Sequence, residues 1–383
     1  MKMFLDMLKE NETITKLNMN EFDMSETIED WRTYLMQTNT LKNLKLGSMN
    51  IDPKSAKILF EGLKQNNSIT TLELFSANIG GDQLLNLSDI VLSKAHFKRL
   101  YLPYIHYENQ QGIDAICSLL KANRLDRLAI TGCFFQEDED ARNQVLDALQ
   151  YDHTLKFLSA NAIFLRDEHC TKLSAWLKKS RAIQTLRISC NLITDEGCKT
   201  IGEAIKYHAA LERLALNHNP LNENAVEWIC QGLKLNSTLT EVTLDGCKVT
   251  ANVINSICDM LKVNDSLARL YFYDYPRFVD TTALELLAQA ITANDSLETL
   301  HFFHTISHDA NYVKLARKLQ QNSTAKEILQ CDWWILSNNI ARQKECFELF
   351  PSEIWLAIFN QIRHCGVAFA KIAYKAFCKY NRV

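Results

Sequence analysis

Ile183-Gln184-Thr185-Leu186-Arg187-Ile188 is followed 28 residues later by Leu211-Glu212-Arg213-Leu214-Ala215-Leu216, and the shared form apolar-x-x-apolar-x-apolar decides the fold. Working outward, the same signature stands at Leu155-Leu158-Ala160, Leu125-Leu128-Ile130, Phe97-Leu100-Leu102, Ile69-Leu72-Leu74, Leu41-Leu44-Leu46 and Ile14-Leu17-Met19 on one side. On the other it stands at Leu239-Val242-Leu244, Leu267-Leu270-Phe272, Leu297-Leu300-Phe302 and, degraded, Ala325-Ile328-Gln330. The twelve copies are separated by 27, 28, 28, 28, 30, 28, 28, 28, 28, 30 and 28 residues. Between them lie stretches with helical three-and-four spacing, such as Ala56-Ile58-Leu59-Phe60-Leu63 and Ile113-Ile116-Cys117-Leu119-Leu120.

Each unit is therefore one short strand plus one helix. A single unit cannot bury its apolar side, so neighbours stack into a solenoid with a continuous core. The predicted fold is α/β, with a parallel sheet along the concave edge and helices outside. Several helices end on Asn, at Asn39, Asn66, Asn123, Asn236, Asn264, Asn294 and Asn322. Asn tolerates the left-handed conformation that closes a helix, and these positions are expected to use it.

The pattern resembles the leucine-rich repeat of the ribonuclease-inhibitor type. Its best copies are Leu186-Arg187-Ile188-Ser189-Cys190-Asn191-Leu192-Ile193-Thr194-Asp195-Glu196-Gly197 and Leu214-Ala215-Leu216-Asn217-His218-Asn219-Pro220-Leu221, and it covers residues 1–335. The position that is Asn or Cys in that family is filled here by Cys133, Asn191, Asn219 and Cys247, but by Met49, Ala77, Ile105 and Ile163 elsewhere. The resemblance implies a horseshoe that binds a protein on its concave face.

Alternation along a strand puts the residues between signature positions on that face. One row reads Lys16, Asn43, Thr71, Arg99, Arg127, Phe157, Thr185, Arg213, Glu241, Arg269, Thr299, Glu327, of which five are basic. The second reads Asn18, Lys45, Glu73, Tyr101, Ala129, Ser159, Arg187, Ala215, Thr243, Tyr271, His301, Leu329. With the strand-exit residues Phe75, Tyr104, Tyr273 and Phe303 they form two aromatic clusters. Aromatics beside Arg dominate interface energetics, so both clusters are candidate binding sites.

A formal net charge of −3 over 383 residues gives no global pull toward nucleic acid or anionic membrane. The 12 Cys include no CxxC pair, and Cys117, Cys198, Cys230 and Cys258 fall on helix faces, which fits reduced thiols in a cytosolic setting. Asp6, Lys9 and Glu10 interrupt the apolar N-terminus, which is expected to form the helix of an opening half-repeat rather than a leader. No run approaches the roughly 18–20 apolar residues of a membrane span. His301, His304 and His308, with Cys331 and Asp332, lack a tight metal-ligand spacing. No HExxH, Gly-rich phosphate loop or GxSxG occurs, so no cofactor, metal or catalysis is expected.

After Trp333-Trp334 the period stops, and Leu349-Phe350-Pro351 opens an amphipathic segment lined by Ile354, Ile358 and Ile362. A second follows over Val367–Tyr380. Phe350, Pro351, Glu353, Ile354, Ile358 and Ile362, then Ala373, Tyr374, Lys375, Phe377 and Tyr380, resemble an F-box. Its inter-helix loop is short and lacks the family's Asp-Leu, and it lies after the repeats. In that placement residues 346–383 are similar to the C-terminal boxes of leucine-rich-repeat effectors of intracellular bacteria such as Legionella. The resemblance implies docking through Leu349, Phe350, Pro351, Glu353, Ile354, Ile358, Ile362 and Phe377 onto the Skp-type adaptor of a cullin RING ubiquitin ligase, and, for an effector, secretion into the host cytoplasm. The alternative is a binding scaffold or inhibitor whose last helices only cap the open end of the solenoid.

Overall fold

The computed structural model describes residues 2–302, apart from 21–23, 48–50, 76, 78, 106–108, 133–137, 245–246, 248–249 and 273–280. Its strands are β1 (Lys16–Asn20), β2 (Asn43–Gly47), β3 (Thr71–Phe75), β4 (Arg99–Tyr101), β5 (Arg127–Ala129), β6 (Phe157–Ser159), β7 (Thr185–Arg187), β8 (Arg213–Ala215), β9 (Glu241–Thr243), β10 (Arg269–Phe272) and β11 (Thr299–Phe302). Helices alternate with them: α1 (Lys2–Lys9), α2 (Ile28–Gln37), α3 (Pro53–Gln65), α4 (Gly81–Ser93), α5 (Gln110–Lys121), α6 (Glu139–Leu149), α7 (Asp167–Lys179), α8 (Asp195–Ile205), α9 (Glu223–Leu233), α10 (Ala251–Leu261) and α11 (Thr281–Ala293).

The strands form one parallel sheet in sequence order. Its register follows the signature: Leu44 pairs with Leu72, Leu100 with Leu128, Leu158 with Leu186, Leu214 with Val242 and Leu270 with Leu300. Each step from strand to parallel strand requires a crossover, which the intervening helix supplies. Parallel strands sit about 4.8 Å apart, whereas packed helices need about 8–10 Å, so the stack curves with the sheet inside. The result is a leucine-rich-repeat solenoid. The twelfth signature, at Ala325-Ile328-Gln330, lies outside the described residues.

Signature side chains and the inner helix faces share one core. Leu211, Leu214 and Leu216 are buried in the same core cluster as Cys198, Ile201 and Ile205 of α8. Adjacent helices approach closely where side chains vanish: a Cβ on Gly202 would stand 2.5 Å from the Trp228 carbonyl oxygen. Helix starts are capped within the repeat, as where Asp52 accepts the Ser55 N–H at 2.7 Å, or from the repeat before, where Asp167 accepts the N–H groups of Thr194 and Gly197. The described cysteines are free thiols, and burial pushes Cys230 up to about 12 and Cys258 up to about 11. These thiols pack as small apolar groups.

The helix-ending Asn residues do something other than expected. Of those in the described region only Asn123 is left-handed, with φ 54°, while Asn66 is extended at φ −67°, ψ 134°. Asn66, Asn236, Asn264 and Asn294 instead stitch neighbouring repeats together. The Asn236 amide donates to the carbonyls of Ile205 (2.7 Å) and His208 (3.2 Å) in the preceding repeat, and its oxygen accepts the N–H groups of Thr238 (2.9 Å) and Leu239 (2.7 Å). Asn264 and Asn294 repeat this pattern, and Asp152 and His208 stand at the same turn in other repeats and also accept two backbone N–H groups each. A buried turn leaves carbonyls and amides to satisfy, and a side-chain amide satisfies both kinds at once.

Candidate functional site

The two predicted concave rows are continuous across the sheet. Lys16, Asn43, Thr71, Arg99, Arg127, Phe157, Thr185, Arg213, Glu241, Arg269 and Thr299 pair in unbroken register, as do Asn18, Lys45, Glu73, Tyr101, Ala129, Ser159, Arg187, Ala215, Thr243, Tyr271 and His301. Arg99, Arg127, Arg187 and Arg213 are exposed, Phe75, Tyr101, Phe157, Arg269 and Tyr271 are half-buried, and the small Ala129 and Ser159 are covered by their neighbours.

Phe157 is the hub of the first cluster. Its ring meets Tyr101 edge-on at 6.1 Å between centroids, and the guanidinium groups of Arg127 and Arg187 lie over it at 5.5 and 5.4 Å. Cations held over an aromatic face are attracted by its quadrupole, which orients both arginines while leaving their N–H groups open. Beside them Phe75 meets Tyr104 edge-on at 5.3 Å. Tyr104 is 47% exposed, and its ring rests on Gly132, where a Cβ would stand 2.5 Å away.

That contact belongs to a feature the sequence did not announce. The strand-exit residues Tyr104, Gly132, Ala162, Cys190 and His218 all adopt positive φ, between 53° and 67°, yet only one is Gly. Each of the first four donates its N–H to the next repeat: to Thr131, Asn161, Ser189 and Asn217 respectively. Non-Gly residues in this region cost about 1 kcal/mol each, and the inter-repeat bond holds them there. The rim of the concave face is thereby turned sharply, presenting Tyr104 toward the inner side. The only sequence signal was Gly132 itself.

Charge is distributed unevenly along the face. Lys45 pairs with Glu73 at 2.6 Å, and Glu241 lies between Arg269 (3.1 Å) and Arg213 (3.7 Å). Burial opposes the Arg269 charge, but the hydrogen bond and charge of Glu241 outweigh it and hold the guanidinium above its ordinary value. In β4–β7 the rows carry Arg99, Arg127 and Arg187 and no carboxylate, and among the described residues none of the three makes an ion pair.

The second predicted cluster is described only through Arg269 and Tyr271. Tyr273 and Phe303 lie outside the described residues, as do Leu349, Phe350, Pro351, Glu353, Ile354, Ile358, Ile362 and Phe377, and of His301 only the backbone, in β11, is described. Among the described residues no grouping of His, Cys, Asp and Glu could hold a metal ion, and no helix is long and apolar enough to cross a membrane.

No protein-family model and no curated protein matches the chain. Among solved structures it is similar to one titled "Leiomodin-1 Actin-Binding Site 2 (ABS2)", with 19% identity and a TM-score of 0.36, covering 44% of this chain and 95% of that one. The assignment as a leucine-rich-repeat solenoid rests on the unbroken strand register and the repeating core.

Proposed function

We propose that the chain is a non-enzymatic protein-binding scaffold that holds its partner on the concave face through Phe75, Arg99, Tyr101, Tyr104, Arg127, Phe157 and Arg187. The carrying observation is the Phe157 hub, where two arginines and a tyrosine converge on one ring at positions the core does not use. Such rigid, partly desolvated aromatic and Arg anchors are what interface hot spots are made of. A photo-crosslinking residue placed at Tyr101 captures a protein from a eukaryotic lysate, whereas the same residue at Lys199 on the helical side does not. Capture from Lys199 and none from Tyr101 refutes the assignment. The second half of the face, with Arg213, Arg269, Tyr271, Tyr273, His301 and Phe303, extends the same proposal, and Tyr271→Ala combined with Tyr273→Ala weakens binding if it takes part.

A second reading joins this scaffold to a cullin RING ligase through the F-box-like residues 346–383. The supporting observation is the pattern Phe350, Pro351, Glu353, Ile354, Ile358 and Ile362. A pull-down comparing the full chain with the Pro351→Ala, Ile354→Ala double variant tests it. Adaptor and cullin retained by the first and lost by the second support the reading, and their absence from both leaves a capped scaffold.

A further inference from the structure

We infer that the occupant of the β4–β7 section is a short acidic protein segment, bearing two carboxylates about four residues apart with an apolar side chain midway between them. This rests on the concave-face reading above and gives it a chemistry.

Elsewhere in the described rows every arginine, and Lys45 too, has an acid beside it, Glu73 at Lys45 and Glu241 between Arg213 and Arg269, and Lys16 on the first strand is the one other cation without an ion pair. In β4–β7 the described rows carry none. Arg99 and Arg127 are direct register partners on neighbouring strands, about 4.8 Å apart at the backbone, and like charges so placed repel. Both are exposed, so nothing in the core requires them. Arg187, on β7, shares the Phe157 ring with Arg127. Among the described residues the open face therefore holds three guanidinium groups without an ion pair, two of them over one aromatic ring, an arrangement that carboxylates engage with paired, charge-assisted hydrogen bonds.

Dimensions narrow the ligand. From β5 to β7 is two strand spacings, about 10 Å, and Arg187 stands two residues further along its strand than Arg127, so their backbones are about 12 Å apart, while their guanidinium groups, 5.5 and 5.4 Å from one ring centroid, stand no more than about 11 Å apart. An extended peptide advances about 3.3 Å per residue and alternates its side chains between two faces, so acids four residues apart face the sheet together and reach both arginines, with the apolar side chain midway between them against Phe157 and Tyr101. A nucleic-acid strand fits less well, because a longer run of phosphates crossing the sheet finds the flanking cations already paired, Lys45 with Glu73 and Arg213 and Arg269 with Glu241.

The test is selection of phage displaying random dodecapeptides on the full-length chain, followed by anisotropy titration of the recovered peptides. The expected peptides carry paired Asp or Glu flanking an apolar residue. Their affinity falls at least tenfold in the Arg127→Gln, Arg187→Gln variant, and is unchanged in Arg213→Gln, with circular dichroism melts confirming that all three chains fold. Peptides without acids, lost on Phe157→Ala but not on the arginine changes, overturn the acidic assignment and leave the concave-face reading standing. Peptides indifferent to both sets overturn both. Equal or tighter binding of a fluorescein-labelled ten-nucleotide uridine strand overturns the choice of a protein segment.

Discussion

Removing the Asn236 side chain should cost far more than its size suggests, because it stitches two repeats with bonds that nothing else can replace. In the Asn236→Ala variant two donated and two accepted hydrogen bonds disappear, at heavy-atom distances of 2.7 to 3.2 Å, and the side chain is only 5% exposed. At about 1 kcal/mol net per bond, and with buried carbonyls and amides left unpaired, the loss comes to about 3–4 kcal/mol. Solenoid repeats contact only their neighbours, so the deficit falls on the seam between the β8 and β9 repeats. Urea unfolding followed by circular dichroism measures the total, and hydrogen exchange at the Thr238 and Leu239 amides measures the seam. A loss below about 1 kcal/mol, with both amides still protected, would refute the view that these Asn residues act as stitches rather than as passive helix ends.

The converse change is available at Ser180, which occupies the same turn with an extended backbone (φ −67°, ψ 132°) but whose buried hydroxyl has no hydrogen-bond partner; Ser180→Asn should raise stability by about 1 kcal/mol in the same assay. His208 accepts two backbone N–H groups at Nδ1 and is held below its ordinary value of 6.5 by burial and then by Arg181, so the unfolded chain takes up its proton first. Its contribution is complete above that value and is lost as the pH falls from 6.5 through the depressed folded-state value, and His208→Asn should flatten this part of a stability-against-pH profile while keeping the turn intact. Leu214→Ala, at a fully buried signature position, should cost about 2–5 kcal/mol in urea unfolding. Gly132→Ala should both destabilise and displace Tyr104, reading out as weaker partner capture, since φ is +67° and the new methyl would strike the ring; unchanged capture would place Tyr104 outside the interface.

The architecture was legible because a solenoid repeats its own evidence. Each signature, from Ile14-Leu17-Met19 to Leu297-Leu300-Phe302, records the same need to bury one strand face against one helix, and a chance match does not survive eleven repetitions. Period two inside each strand then assigned Arg99, Tyr101, Arg127, Phe157 and Arg187 to the open face, since alternation is a local property of extended backbone.

What only the tertiary structure decided is how those residues, and the turns, spend their polar groups. Asn236 looked like a helix stop because Asn commonly is one, but its partners, Ile205 and His208, lie one repeat earlier and become neighbours only when repeats stack. In the same way Arg213 and Arg269 were two of five basic residues in one row and proved to share Glu241, while among the described residues Arg99, Arg127 and Arg187 make no ion pair. Composition records charges but not distances, and a row of side chains 28 residues apart in sequence is separated by a single strand spacing in space. The period of the sequence thus determined the scaffold, and the stacking it produced decided which of its polar groups remain open to a partner.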